Sequence, residues 1–124
     1  MITEAFPMLT TPDLKRALGF YRDLLGGEVY YQFPAEGEPM YVTLRCGSSS
    51  LGIGEDTETA GRNRDSGVFS LCVYVDDVDA ALKRLGDAHA VILSPAVDQP
   101  WGERMAEVAD PDGTRIVLMS KLDA

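Results

Sequence analysis

The chain carries one plan twice. Leu14, Ala17 and Leu18 recur as Val78, Ala81 and Leu82 at a constant offset of 64 positions. Each trio lies in a short amphipathic helix signal. In the first, Leu14, Ala17, Leu18, Tyr21 and Leu25 form a single apolar stripe at helical spacing. Thr11 is expected to cap that helix, Pro12 to occupy its first position and Asp13 to complement its positive end. Gly26-Gly27 is expected to end it, because glycine enters the left-handed conformation without penalty. In the second, acidic Asp77 and Asp79 stand at the start, Val78, Ala81, Leu82 and Leu85 make the stripe, and Gly86 is expected to close it.

Strand-like runs flank both helices in the same order. Ile2 to Leu9 precedes the first helix; Glu28 to Phe33, Met40 to Cys46 and Ser50 to Gly54 follow it. Gly67 to Val75 precedes the second; Ala90 to Ser94, Arg104 to Ala109 and Arg115 to Ser120 follow it. Asp110-Pro111-Asp112-Gly113 is a turn, with Pro presetting φ and Gly in a favoured place. The expectation is an α+β chain of two βαβββ modules within one domain, spanning 1–55 and 67–124 and joined by a polar linker at 56–66.

With 124 residues, the chain is long enough for a core without disulfide staples. Its two cysteines, Cys46 and Cys72, show no CxxC spacing and read as small buried hydrophobes. No apolar run approaches the length of a membrane span, and the first residues carry no basic cluster, so a cytoplasmic protein is expected. Eleven Lys and Arg against twenty Asp and Glu give a net charge of −9. That balance argues against nucleic acid and anionic membrane as partners and favours cationic small molecules, although many soluble proteins are simply acidic.

Alternation along the strands separates two faces. Phe69, Leu71, Val73 and Val75, like Met40, Val42 and Leu44, form apolar sets expected to pack under the helices. Tyr74 and Cys72, with Tyr41 and Thr43, point the other way and suit either the lining of a mixed-polarity cavity or an ordinary solvated face.

The doubled module, Asp13-Leu14 with Ala17-Leu18 and Phe20-Tyr21, Val75-Asp76-Asp77-Val78-Asp79, and Trp101-Gly102 leading to Asp110-Pro111-Asp112-Gly113 together resemble the vicinal oxygen chelate superfamily. That superfamily includes glyoxalases, extradiol dioxygenases and bleomycin resistance proteins. The resemblance covers essentially the whole chain and implies cupped sheets, with sites completed by pairing modules or chains. In the family's metal enzymes four side chains, His or Gln, Glu, His and Glu, hold a divalent cation. Aligned on the motifs, those positions are Phe6, Gly52, Ser70 and Val117, which cannot jointly bind one. The only histidine, His89, falls in a loop.

The resemblance therefore points to the metal-free, ligand-binding branch: a homodimer that sequesters a planar, cationic natural product in clefts between chains, with no cofactor and no catalytic residue. Pro7, early in the first strand, matches the pattern that accompanies exchange of that strand between two chains. Trp101, in Gln99-Pro100-Trp101-Gly102, is the expected aromatic wall, with Phe33 beside the loop Pro34 to Pro39 opposing it. Tyr41, Tyr74, Phe6 and Met105 are expected to line the floor, and Glu107 with Glu36 and Glu38 to meet positive groups. Gly52 and Gly54 are expected to leave room for a bulky guest. Duller roles stay open: edge packing for Trp101, interface packing for Phe33 and Tyr41, half-burial for Tyr74 and solvation for Glu107. The rivals are a metal-free lyase or isomerase with Glu107 as base and Tyr74 or Tyr41 as acid, and a metabolite-binding accessory protein.

Overall fold

The structure is a computed structural model that describes residues 1, 4, 6–57 and 70–122. It divides into two units, Met1–Arg62 and Asn63–Ala124. The first contains β1 (Met8–Thr11), α1 (Leu14–Leu18), β2 (Glu28–Phe33), β3 (Tyr41–Cys46) and β4 (Ser49–Glu55). The second contains β5 (Leu71–Tyr74), α2 (Val78–Asp87), β6 (Val91–Asp98), β7 (Glu103–Ala109) and β8 (Arg115–Lys121). The strand orders are β1-β4-β3-β2 and β5-β8-β7-β6. In each sheet the first strand runs parallel to the last and the remaining pairs are antiparallel. The fold is α+β, two βαβββ modules. Most of the expected linker, 58–66, and the residues 67–69 lie outside the described residues, as do Ile2, Thr3 and Ala5.

One face of each sheet is buried under a helix. In the first unit Val42, Leu44, Leu51 and Ile53 lie beneath Leu14, Ala17 and Leu18, all buried. In the second, Ala106, Val108, Ile116 and Leu118 meet Val78 and Leu85. Burial of these aliphatic side chains is the main term holding each unit together. Met40, expected in the first set, precedes β3 and is exposed.

The helix starts differ from expectation in one respect. Asp13, not Thr11, is the cap: its side chain accepts the Arg16 amide at 3.1 Å. Thr11 Oγ1 instead accepts the Asp13 amide at 3.1 Å, and Pro12 stands before the helix. Asp77 caps α2 in the same way, accepting the Ala80 amide at 3.1 Å. A carboxylate accepts the free N–H groups and meets the positive dipole end at once, which explains why Asp takes the role.

After Leu18 the first helix widens into π-type turns over Gly19–Leu24. An extra residue per turn lets neighbouring Phe20 and Tyr21 both reach the core, their rings edge-on at 5.0 Å. The spiral stops at Gly26, φ 85°, where the Gly27 amide donates back to Tyr21 O at 3.0 Å and the Gly26 amide to Arg22 O at 3.1 Å. In the second unit the stop is not Gly86. α2 runs on to Asp87, and the left-handed position after it belongs to His89, φ 67°.

β1 lies later than the expected Ile2–Leu9. Phe6 and Pro7 precede it, although Pro7 O still accepts the Gly52 amide at 3.0 Å. β6 extends past Ser94 to Asp98, with register shifts around Ser94 that accommodate Pro95. Both cysteines are free thiols; Cys46 is half-buried, which pushes its pKa up, but Cys72 is exposed rather than buried. It lies on the side of β5 turned away from α2.

Candidate functional site

Among the described residues, each sheet has one face turned away from the helix of its own unit, its helix-free face. On the second unit it is built from alternate residues of four strands, and cross-strand pairing sets them in rows. Tyr74 pairs with Met119, Met119 with Met105, and Met105 with Val97. The next row holds Cys72, Val117, Glu107 and Ser94. At the upper edge Glu103 stands opposite Lys121.

The hairpin between β6 and β7 carries Trp101. The Gly102 amide donates to Gln99 O at 3.1 Å and the Gln99 amide to Glu103 O at 2.7 Å, a tight closure that Gly102 permits at φ 94°. The indole projects outward, 62% exposed, and its Nε1–H donates to Glu103 Oε1 at 3.1 Å. From β5 the Tyr74 hydroxyl donates to the other oxygen, Glu103 Oε2. The Tyr74 ring is 59% exposed and has the Lys121 ammonium 5.7 Å from its centre. The hydrogen bond to the Glu103 carboxylate holds the Tyr74 pKa above the usual phenol value, since losing the proton sets two negative charges together. Tyr74 is thus a fixed donor at neutral pH.

Of the sequence-expected residues, this face brings Trp101 and Tyr74 together through Glu103, with Met105 in the adjoining row. Glu107 lies on the same face but farther along β7, facing Arg115 at 3.5 Å. Glu103 and Lys121 were not expected. Their signal was the alternation Glu103, Met105, Glu107 on β7, which puts all three side chains on one side.

The helix-free face of the first unit is aromatic. A register shift in β2 between Val29 and Tyr31 adds a residue there. The Tyr30 hydroxyl lies 3.1 Å from Ser50 Oγ, and the Arg45 guanidinium sits over the Tyr30 ring at 4.6 Å. Tyr31 meets Tyr41 edge-on at 6.2 Å. Thr43 Oγ1 donates to the Tyr41 hydroxyl at 3.2 Å. Phe33 pairs with Tyr41 across the strands and is exposed, as is Phe6 before β1. The Met40 amide closes the intervening loop on Phe33 O at 2.8 Å, and Glu36 and Glu38 on that loop are exposed.

The expected room over Gly52 and Gly54 is already filled. A Cβ on Gly52 would come within 2.6 Å of the Tyr41 hydroxyl oxygen, and one on Gly54 within 3.7 Å of Tyr41 Cδ1. Gly52 makes way for the end of the protein's own Tyr41 side chain, while at Gly54 the ring lies at ordinary contact distance.

The residues at the family's metal-ligand positions do not fit a metal. Gly52 pairs with Met8 and Val117 with Cys72, Phe6 is an exposed phenyl, and Ser70 offers one hydroxyl. Among the described residues no three His, Cys, Asp or Glu side chains converge as a metal site would require. This donor set does not support a metal-dependent step.

Comparison with known proteins agrees with this architecture. Residues 5–118 match the sequence profile of the glyoxalase/bleomycin resistance protein/dioxygenase superfamily. The mitochondrial methylmalonyl-CoA epimerase of Bos taurus is 30% identical over 94 residues, 69% of this chain and 54% of that protein. The chain thus spans about half the length of the epimerases it matches. The bleomycin resistance protein of Geobacillus stearothermophilus is 25% identical over 135 residues, covering 96% of this chain and 97% of that protein. Among solved structures, TioX from Micromonospora sp. ML1 superposes with a TM-score of 0.76 at 25% identity, covering 98% of both chains. Two βαβββ modules with one strand order, and a profile match across nearly their full extent, establish that the chain belongs to the glyoxalase/bleomycin resistance protein/dioxygenase superfamily.

Proposed function

We propose that this protein is a metal-independent, cytoplasmic binding protein that sequesters a planar, cationic natural product without changing it, acting as a homodimer with the ligand held where chains meet. The observation that carries the reading is Trp101: a largely exposed indole, anchored by its N–H to Glu103 beside an exposed Tyr74. An exposed aromatic held in place offers a stacking surface with little conformational entropy left to lose. The net charge of −9 favours a cationic guest, and the likeness to a bleomycin resistance protein extends over 96% of the chain.

A thermal-shift screen tests the reading, with bleomycin and planar cationic antibiotics in one arm and nickel, zinc and manganese in the other. A ligand at a hundredfold excess over its Kd stabilises by about 2.7 kcal/mol, a shift of about 10 °C for a domain this size. The expected result is a shift with an antibiotic and none with the metals, and recovery of the ligand unchanged by mass spectrometry. Trp101→Ala is expected to weaken binding by about 2 kcal/mol. A shift with metal alone overturns the reading. Light scattering is expected to give twice the chain mass.

The likeness to methylmalonyl-CoA epimerase favours a second reading, a metal-free lyase or isomerase with Glu107 as base. Glu107 faces Arg115, and the Tyr74 hydroxyl is engaged by Glu103 rather than turned to Glu107. Product formation in the same mass-spectrometric assay is what that reading requires.

A further inference from the structure

Glu103 is held in a way an ordinary surface glutamate is not. Each carboxylate oxygen accepts from a donor borne on an aromatic side chain, Oε1 from the Trp101 indole at 3.1 Å and Oε2 from the Tyr74 hydroxyl. Both donors are neutral, so the charge is fixed in position without being cancelled, and each oxygen keeps further acceptor capacity. The neighbouring guanidinium does not cancel it either: Arg104 is engaged by Asp79 at 2.9 Å and by Asp98 at 2.8 Å. The result is an anion framed by two exposed π faces. A cation gains from the carboxylate and the rings together. A neutral or anionic guest of the same shape covers a carboxylate that it cannot match.

The protein supplies its own cation at this spot. Lys121 is the cross-strand partner of Glu103, and its ammonium lies 5.7 Å from the centre of the Tyr74 ring. We propose that Glu103 is the charge anchor of the site and Lys121 an internal stand-in. A planar guest whose ring system carries a charged N–H group, such as an aminoheteroaromatic cation or an aryl amidinium, docks that group on the Glu103 carboxylate and displaces the Lys121 ammonium from Tyr74. The inference rests on the planar-ligand reading above and adds which residue selects charge and which one competes for it.

Isothermal titration calorimetry with 9-aminoacridine (a cation), acridine (neutral at mildly alkaline pH) and acridine-9-carboxylate (an anion) tests it. Wild-type protein is expected to rank them in that order. Glu103→Gln keeps the shape of the side chain and an acceptor for Trp101. It is expected to weaken 9-aminoacridine by about tenfold, the usual effect of losing a charge-assisted hydrogen bond, and to leave acridine within about twofold. Lys121→Gln is expected to tighten 9-aminoacridine by about threefold, because a competing cation–π contact is gone. Circular dichroism confirms that both variants fold. Equal binding of acridine and 9-aminoacridine, both lost in Trp101→Ala, overturns the anchor and leaves the planar-ligand reading standing. So does a Glu103→Gln variant that weakens all three probes alike. Silence of all three probes overturns the anchor, and silence of the antibiotic screen as well overturns the reading beneath it.

Discussion

At Gly52 the side chain's absence is used by a neighbour. The Tyr41 hydroxyl lies only 2.6 Å from where a Cβ would be, with Met8 Cγ 3.3 Å from the same point. Gly52→Ala is therefore expected to push the Tyr41 ring aside and break its hydrogen bond from Thr43, a loss of about 1 kcal/mol measurable by urea denaturation. The sequence suggested that something bulky sits over this glycine. It did not reveal that the occupant is Tyr41, because that depends on the β3–β4 register, which sets Thr43 opposite Gly52 and Tyr41 opposite Gly54. Glu103 escaped for a related reason. Its partners Tyr74 and Trp101 lie 29 and 2 positions away in the chain, and only pairing of β5 with β8 and of β8 with β7 brings the first of them near. His89 is the opposite case, a residue in a backbone conformation that suits glycine. His89→Gly is expected to raise stability by up to about 1 kcal/mol, read as a higher urea midpoint.

Among the elements, helix ends and strand ties account for the differences between pattern and structure. Periodicity located both helices and five of the eight described strands to within a residue or two, since a buried face imposes its spacing on the sequence. It could not foresee the π-type turns after Leu18, where the stripe changes pitch, or the precise capping residue. Replacing Asp13 or Asp77 by Ala is expected to destabilise its unit by about 1 kcal/mol, as loss of an N-cap does. On the helix side of β7, Arg104 grips Asp79 in the first turn of α2 and Asp98 across the strand pair. The Arg104 hydrogen bonds hold the Asp79 carboxyl below its ordinary value of 3.8. A lowered folded-state pKa means the stabilisation is fully present above that value and is lost as pH falls through the folded-state one. Urea midpoints of wild type and Asp79→Asn are expected to differ near neutral pH and to converge in strong acid.

For the whole molecule, the repeat and the charge were the most legible features. The 64-residue offset that pairs Leu14 with Val78 also pairs the two capping aspartates, Asp13 and Asp77, so the duplication extends to the hydrogen bonds that start each helix. The helix-free faces share no such correspondence: one is rich in tyrosine and glycine, the other mixes methionine with Glu103 and Glu107. With a net charge of −9, binding of a cationic planar ligand is expected to weaken with added salt while a neutral analogue is unaffected, a comparison that titration at two ionic strengths makes directly.

Adjacent residues on β7 face opposite ways, Glu103 toward the aromatic pair and Arg104 toward α2. A guest docked on Glu103 as proposed, and tightening the strand there, is expected also to steady the guanidinium that clasps Asp79. Amide hydrogens in the first turn of α2, on the far side of the sheet from any ligand, should then exchange more slowly in the bound protein, and Arg104→Lys should break that link while sparing the ligand's own contacts.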